Sequence, residues 1–115
     1  MSRWLLLAGF ILCTAQALAD PLSDGIAAYQ RKDYRRALAL LAPLAEAGTA
    51  QAQVRMGLLY YHGHAVKEDD AAAFAWFARA SRQGNADAQY HLANMYNYGL
   101  GLPPGEKDPD RSAAQ

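Results

Sequence analysis

Two sixteen-residue stretches decide the fold of this chain. Residues 48–63 read GTAQAQVRMGLLYYHG, and residues 84–99, which begin 36 positions later, read GNADAQYHLANMYNYG. Six of the sixteen aligned positions are identical, and three more are close in size and polarity. A regular repeat with a period in the thirties is typical of helix pairs that stack side by side into a solenoid.

Each copy of this stretch combines the end of one helix with the start of the next. The glycine that opens each copy suits the left-handed conformation that ends a helix. Thr49 and Asn85, which follow it, are good N-cap residues. The apolar residues after each cap recur on one helical face. We therefore predict two equivalent helices, here termed A helices, at about Ala50–Tyr61 and Ala86–Tyr98.

A second kind of helix, here termed the B helix, follows each A helix after a loop that contains glycine. Asp69 or Asp70 starts one at about Asp70–Gln83, where a negative charge is favourable at the positive end of the helix dipole. Trp76 and Phe77 belong to its predicted buried stripe, and burying one such side chain is worth roughly 1.5–3 kcal/mol.

A shorter helix pair precedes the repeats. Ser23 is the predicted cap of a helix over Asp24–Arg31, and Asp33 is the predicted cap of a second helix over Tyr34–Ala47. Pro43 lies inside this second helix and removes a backbone hydrogen bond, so we expect a kink there. Alanine is abundant while Val and Ile are scarce, which favours helices over strands. The predicted fold class is all-α.

The first nineteen residues are typical of an export signal. Arg3 gives a positive start, Trp4–Cys13 is an uninterrupted apolar run, and residues 17–19 read ALA, a small-x-small cleavage pattern. The run is shorter than the roughly 20 residues that span a bilayer. We predict cleavage after Ala19, a periplasmic or secreted location, and no membrane insertion after cleavage. An uncleaved N-terminal anchor is the alternative.

The composition argues against several classes of function. The chain has 11 basic and 11 acidic residues, so no basic patch for nucleic acid is indicated. Cys13, the only cysteine, lies in the predicted signal, so the mature chain has no thiol for a disulfide or for zinc. Neither a Ser-x-x-Lys motif nor a Gly-rich phosphate loop is present. We predict no catalytic residues and no cofactor.

The only close histidine pair is His62 and His64, on either side of a glycine. A metal site needs three or four converging ligands. We therefore predict no metal site, and whether these two histidines bind a metal ion stays open.

Residues 52–76 carry a spaced pattern, AQ-x-x-MG-x-LY-x-x-G-x-AV-x-x-D-x-x-x-A-x-x-W. This pattern resembles a Sel-1-like repeat, a cousin of the tetratricopeptide repeat with a longer loop between its helices. Residues 88–102 resemble the start of a second copy, in which Ala65 of the first loop has the more usual glycine as its counterpart. The resemblance implies a right-handed α-solenoid with A helices on its concave face. It also implies an adaptor or scaffold.

The predicted organisation follows from the signal and the repeats. Residues 1–19 form the signal peptide, 20–48 a tetratricopeptide-like helix pair, 49–84 the first Sel-1-like repeat and 85–115 an incomplete second one. Asp110-x-x-x-Ala114 matches the opening of another B helix. We therefore expect the chain to be a fragment of a longer protein, or its uncovered face to be covered by a partner or a second copy.

The predicted function is an exported interaction module that binds a protein partner on the concave A-helix face. Six positions on the A helices lie off the buried stripe and are the predicted partner-binding residues: Arg55, Leu58, Tyr61, His91, Asn94 and Asn97. Two alternatives remain. One is a hydrolase of the β-lactamase-like or cell-wall type, suggested only by labels that some family members carry. The other is a purely structural segment of a longer chain. The partner's identity stays open.

Overall fold

The computed structural model describes residues 20–105, which form helices and loops without any strand. The prediction of an all-α fold is confirmed. The five helices of this range are numbered here in chain order: α1 (Pro21–Gln30), α2 (Tyr34–Glu46), α3 (Ala50–His62), α4 (Asp70–Arg82) and α5 (Ala86–Tyr98).

Short polar side chains start most of these helices. A backbone N–H of the first turn donates to the carboxylate or amide oxygen of Asp20, Asp33, Asp69 and Asn85. Helix α1 begins at Pro21, three residues before the predicted start, because Asp20 and not Ser23 is its cap. The Ser23 hydroxyl instead donates to Oδ2 of Asp20 at 3.1 Å. An Asp followed by Pro at the first helical position is a strong start signal.

Glycine ends both A helices of the repeats. Gly63 after α3 and Gly99 after α5 have φ values of 70° and 66°, in the left-handed region. In contrast, Pro43 does not end α2, which continues as one helix to Glu46. The exposed position of Pro43 allows its ring to point away from the packed face.

The helices stack in chain order. Each helix packs against the next one, and α1 also contacts α3. The A helices α1, α3 and α5 therefore form one layer, and the B helices α2 and α4 form the other. This is the arrangement of a tetratricopeptide-like solenoid, as the period of 36 residues predicts.

The core consists of two clusters that share α3. In the first cluster, Met56 and Leu59 of α3 pack with α1 and α2. In the second cluster, Val54 of the same helix packs with α4 and α5. Small residues allow the close approach of the helices. A Cβ atom on Gly57 would come within 2.5 Å of the Phe77 ring, so α3 and α4 require glycine at this position.

The aromatic residues are less buried than the predicted stripe requires. Phe77 is 1% exposed, but Trp76 is only half-buried and packs against the edge of the first cluster. The Arg79 guanidinium lies over the Trp76 ring, 4.6 Å from its centroid, in a cation–π contact. Tyr96 is 43% exposed. Of the two residues predicted on the buried stripe, Phe77 is enclosed, whereas Trp76 lies at the edge of the core.

Candidate functional site: a groove between two A helices

A groove lies between the A helices α3 and α5. It encloses a cavity of about 270 Å³. The buried side chains of Phe77 and Met95 form its floor, while Tyr90 and Tyr98 on its rim are 65% and 64% exposed. We call this feature the A-helix groove, and its lining residues are Leu58, Tyr61, His62, Phe77, Tyr90, His91, Asn94, Met95, Tyr98 and Leu100.

The structure brings four of the six predicted partner-binding residues into this groove. Leu58 and Tyr61 line it from α3, and His91 and Asn94 line it from α5. Arg55 lies outside the lining, at a smaller neighbouring cavity of about 190 Å³. Asn97 is exposed on α5 and lines neither cavity.

His91 is fixed in the groove by ring contacts. Its imidazole stacks on Phe77 with ring centroids 4.9 Å apart, and Tyr90 meets it edge-on at 5.4 Å. Burial lowers the pKa of His91 below 6.5 because it disfavours the charged form. The Asp87 carboxylate opposes this shift, whereas His62 and Arg55 add to it. Near neutral pH the groove therefore presents an uncharged imidazole.

Arg55 has an unusual environment at the end of the groove. Its guanidinium lies 5.3 Å from the centroid of the Tyr29 ring of α1. Its Nε atom is buried and has no hydrogen-bond partner among the described residues. The side chain therefore carries a charge that residues 20–105 do not pair.

Sequence reasoning missed several lining residues of the groove. Tyr90 and Tyr98 were not predicted, although they lie four residues before and after the predicted Asn94 and therefore share its face of α5. Leu100 belongs to the loop after α5, and only the folded path of that loop brings it to the groove.

The histidine pair belongs to a row of aromatic rings. The His62 and His64 ring centroids are 5.5 Å apart, and His64 stacks on Tyr34 at 4.1 Å with an interplanar angle of 2°. Within residues 20–105 no group of three or more His, Cys, Asp or Glu side chains is placed to hold a metal ion. The pair is accounted for by ring stacking.

None of the five described helices combines the length and the hydropathy that crossing a bilayer requires.

The comparisons with known proteins agree with the repeat pattern. The Sel1 repeat model matches residues 17–49, 50–85 and 86–114, which together make up most of the chain. The human "Protein sel-1 homolog 2" is 39% identical over 74 residues, covering 64% of this chain and 11% of that protein. The Arabidopsis thaliana "ERAD-associated E3 ubiquitin-protein ligase component HRD3A" is 32% identical over 73 residues, again 64% of this chain and 11% of that protein. The chain thus spans about a tenth of the length of these curated relatives.

A solved structure gives the same result. A Sel1 repeat protein from Oxalobacter formigenes superimposes with a TM-score of 0.69 at 32% identity, covering 76% of this chain and 35% of that one. Sel1 repeats are protein–protein interaction modules. The repeat matches, the relatives and the stacked helix pairs all lead to one assignment: the chain belongs to the Sel1 repeat family.

Proposed function

We propose that this chain is an exported interaction module that binds a segment of a partner protein in the A-helix groove, on the concave A-helix face. The observation that carries the proposal is the groove itself. It has an apolar floor of Phe77 and Met95 and a rim of exposed Tyr side chains. Buried apolar contacts surrounded by aromatic groups are typical of the central residues of protein interfaces.

The dimensions of the groove favour a peptide segment over a small molecule. Its volume of about 270 Å³ lies below the roughly 300–1,000 Å³ of small-molecule sites. A volume of this size accommodates one or two side chains of a partner. The Arabidopsis relative is named as a component of a ubiquitin ligase, which is consistent with a module that works within a larger assembly.

Export is the second part of the proposal, and it rests on residues 1–19, outside the described part of the chain. The support from the fold is the start of α1. Asp20 caps this helix and Pro21 is its first residue, so cleavage after Ala19 would leave the whole helix and its cap intact. N-terminal sequencing of protein from the cell envelope should begin at Asp20. Soluble cytoplasmic protein that begins at Met1 would refute export.

Site-specific cross-linking tests the binding face. A photoreactive phenylalanine analogue at Tyr98, on the groove rim, should capture a partner protein. The same analogue at Ala75, which is exposed on the B helix α4, should not. Mass spectrometry identifies the cross-linked partner and the peptide of that partner which contacts the groove.

Variants then separate binding from folding. Charge reversal at Arg55, Tyr61→Ala and His91→Ala should each weaken partner capture without lowering the melting temperature by more than a few degrees. Arg82→Glu, on the exposed side of α4, is the matched control. The proposal fails if the groove variants capture the partner normally while Arg82→Glu abolishes capture, or while the analogue at Ala75 cross-links the partner. Either result would place the binding face on the B-helix side.

A further inference from the structure

Arg55 forms no ion pair within the described part of the chain, although the Asp87 carboxylate lines the same small cavity. The guanidinium contacts the face of the Tyr29 ring, and its buried Nε atom donates no hydrogen bond there. Arg79 provides a contrast, because it reaches the Glu46 carboxylate at 3.8 Å and two backbone carbonyls of α2. The Nε atom is itself enclosed, but Arg55 is only half-buried and lines the small cavity, where a ligand gains affinity by supplying acceptors to the guanidinium.

The surroundings of Arg55 do not supply that acceptor. The small cavity beside it is also lined by Gln51, Val54, Asn85 and Asp87. Asp87 carries the only carboxylate in this lining, and it forms no ion pair with Arg55. Burial raises the pKa of Tyr29 and lowers that of His91, and the charge of Arg55 opposes the first shift and adds to the second, so Arg55 faces α1 on one side and the groove on the other.

We propose that the partner segment is acidic and aromatic, an inference that rests on the proposed function. An Asp or Glu carboxylate of the segment binds Arg55, and a neighbouring aromatic side chain enters the A-helix groove. A guanidinium offers parallel N–H donors that match a carboxylate, and such pairs are among the strongest hydrogen bonds in proteins. The groove beside it supplies the apolar contact at Leu58 and Tyr61.

The spacing of the two sites fits an extended peptide. Arg55 and Leu58 are three residues apart on α3, which corresponds to about 4.5 Å along the helix axis. Consecutive residues of an extended segment are about 3.3 Å apart, so side chains one or two residues apart span the two sites. The lining of the groove contains neither Lys nor Arg. The attraction for negative charge is therefore local to Arg55, which does not suit a polyanion or an anionic membrane.

Peptide binding to the purified full chain tests the proposal. The probe is a fluorescein-labelled dodecapeptide in which Asp and Phe alternate between Gly and Ser residues. Two matched peptides replace every Asp by Asn or every Phe by Ala, and fluorescence anisotropy gives the dissociation constants. We expect the Asp–Phe peptide to bind at least about tenfold more tightly than either matched peptide, and we expect added salt to reduce the preference for Asp.

Variants locate the acid preference at one side chain. Arg55→Gln should weaken binding of the Asp–Phe peptide by about tenfold and remove its advantage over the Asn version. Arg55→Lys should retain part of that advantage because it keeps the charge. Arg82→Gln, an exposed arginine on α4, should bind like the unaltered chain. Circular dichroism of each variant confirms that the helices are intact.

The outcomes separate this inference from the proposed function. Equal affinity of the Asp and Asn peptides, or an undiminished preference in Arg55→Gln, overturns the acidic segment. If Tyr61→Ala then weakens both peptides equally, the groove is still the binding site and the proposed function stands. Absence of binding by all three peptides also overturns the inference. Cross-linking from Tyr98 tests independently whether the groove is the binding site.

Discussion

The side-chain amide of Gln83 donates a hydrogen bond of 3.0 Å to Oε1 of Gln53. Gln53 in turn donates through Nε2 to the Ala45 carbonyl at 3.1 Å, and Gln83 also reaches the Gly48 carbonyl at 2.8 Å. Gln53 is 1% exposed and is the one buried polar side chain of residues 20–105. The Ala45 carbonyl near the end of α2, which has no partner within its own helix, therefore accepts a hydrogen bond from a side chain of the following repeat.

Removal of Gln53 should be costly. Gln53→Ala removes a buried side chain and, with it, the hydrogen bond to the Ala45 carbonyl and the hydrogen bond from Gln83. We expect the free energy of unfolding, measured by urea denaturation, to fall by about 1–3 kcal/mol. Gln89 occupies the equivalent position 36 residues later but is exposed. Gln89→Ala should change the stability by less than about 0.5 kcal/mol, and equal effects of the two substitutions would contradict the network.

The loop after α3 contains a strained alanine. Ala65 has φ of 63°, and Gly101, at the same position of the next repeat, has φ of 66°. The left-handed conformation costs an L-residue with a Cβ atom roughly 1–2 kcal/mol, whereas glycine adopts it freely. The greater freedom of glycine in the unfolded chain offsets part of this relief, so Ala65→Gly should raise the free energy of unfolding by about 1 kcal/mol.

The control for this substitution lies in a helix. Ala75→Gly, at an exposed position of α4, should lower the free energy of unfolding by about 0.5–1 kcal/mol. A loss of stability in both variants would mean that Ala65 is not strained. The reverse exchange at Gly101 should be poorly tolerated, because an added Cβ would overlap the backbone carbonyl of Asp70.

Two adjacent aromatic residues of α4 should differ in their contributions. Phe77→Ala removes a fully buried ring from the second core cluster and should cost about 3–5 kcal/mol in unfolding free energy. Trp76→Ala should cost about 1–3 kcal/mol, because this indole is half-buried at the edge of the first cluster. Thermal and urea denaturation give both values, and a larger loss at Trp76 would show that the order of burial is inverted.

The stability should depend on pH through His91. Burial holds its pKa below 6.5, which is its value in the unfolded chain, so between these two values the unfolded state binds more protons. The free energy of unfolding therefore rises with pH in the window just below 6.5. The contribution of His91 is complete above 6.5 and is lost as the pH falls towards the folded pKa. The melting temperature of the unaltered chain, measured between about pH 5 and pH 8, should fall in acid more steeply than that of His91→Gln.

The surroundings of His91 set the size of this effect. Asp87 on the same helix raises its pKa, and His62 and Arg55 from α3 lower it. Asp87→Asn should therefore steepen the loss of stability in acid, because it removes the charge that favours the imidazolium. Superimposable pH profiles for the unaltered chain and His91→Gln would contradict a depressed pKa.

Local signals in the sequence predict the helices well but the groove only in part. Gly63 and Gly99 end α3 and α5, and Asn85 caps α5, whereas Thr49 occupies the N-cap position of α3 without a side-chain hydrogen bond. The start of α1 differs because the Asp20–Pro21 pair outcompetes the nearby serine as a cap. Burial is less predictable: Trp76 and Phe77 are neighbours on α4, and only the rotation of that helix against α3 decides which one is enclosed.

The candidate site depends on distances between helices that no local pattern encodes. Positions off the apolar stripe identify Leu58, Tyr61 and His91 as available for contact, but the depth of the groove results from the separation of α3 and α5. In the same way, Arg55 and Asp87 line one small cavity without forming an ion pair, and their positions in the sequence indicate neither fact.

The loops after the A helices have a consequence for how this chain comes apart. The loop that follows α5 folds back over the start of α4, where Gly101 touches the backbone of Asp70 and Leu102 enters the second cluster. The loop that follows α3 does the same at α2, through the stacking of His64 on Tyr34. Each loop therefore holds the start of the preceding B helix. Separation of that B helix from its neighbours requires the contacts of the loop to break as well. Fraying that begins at one end should propagate along the stack as a cooperative unzipping, with few long-lived half-open forms.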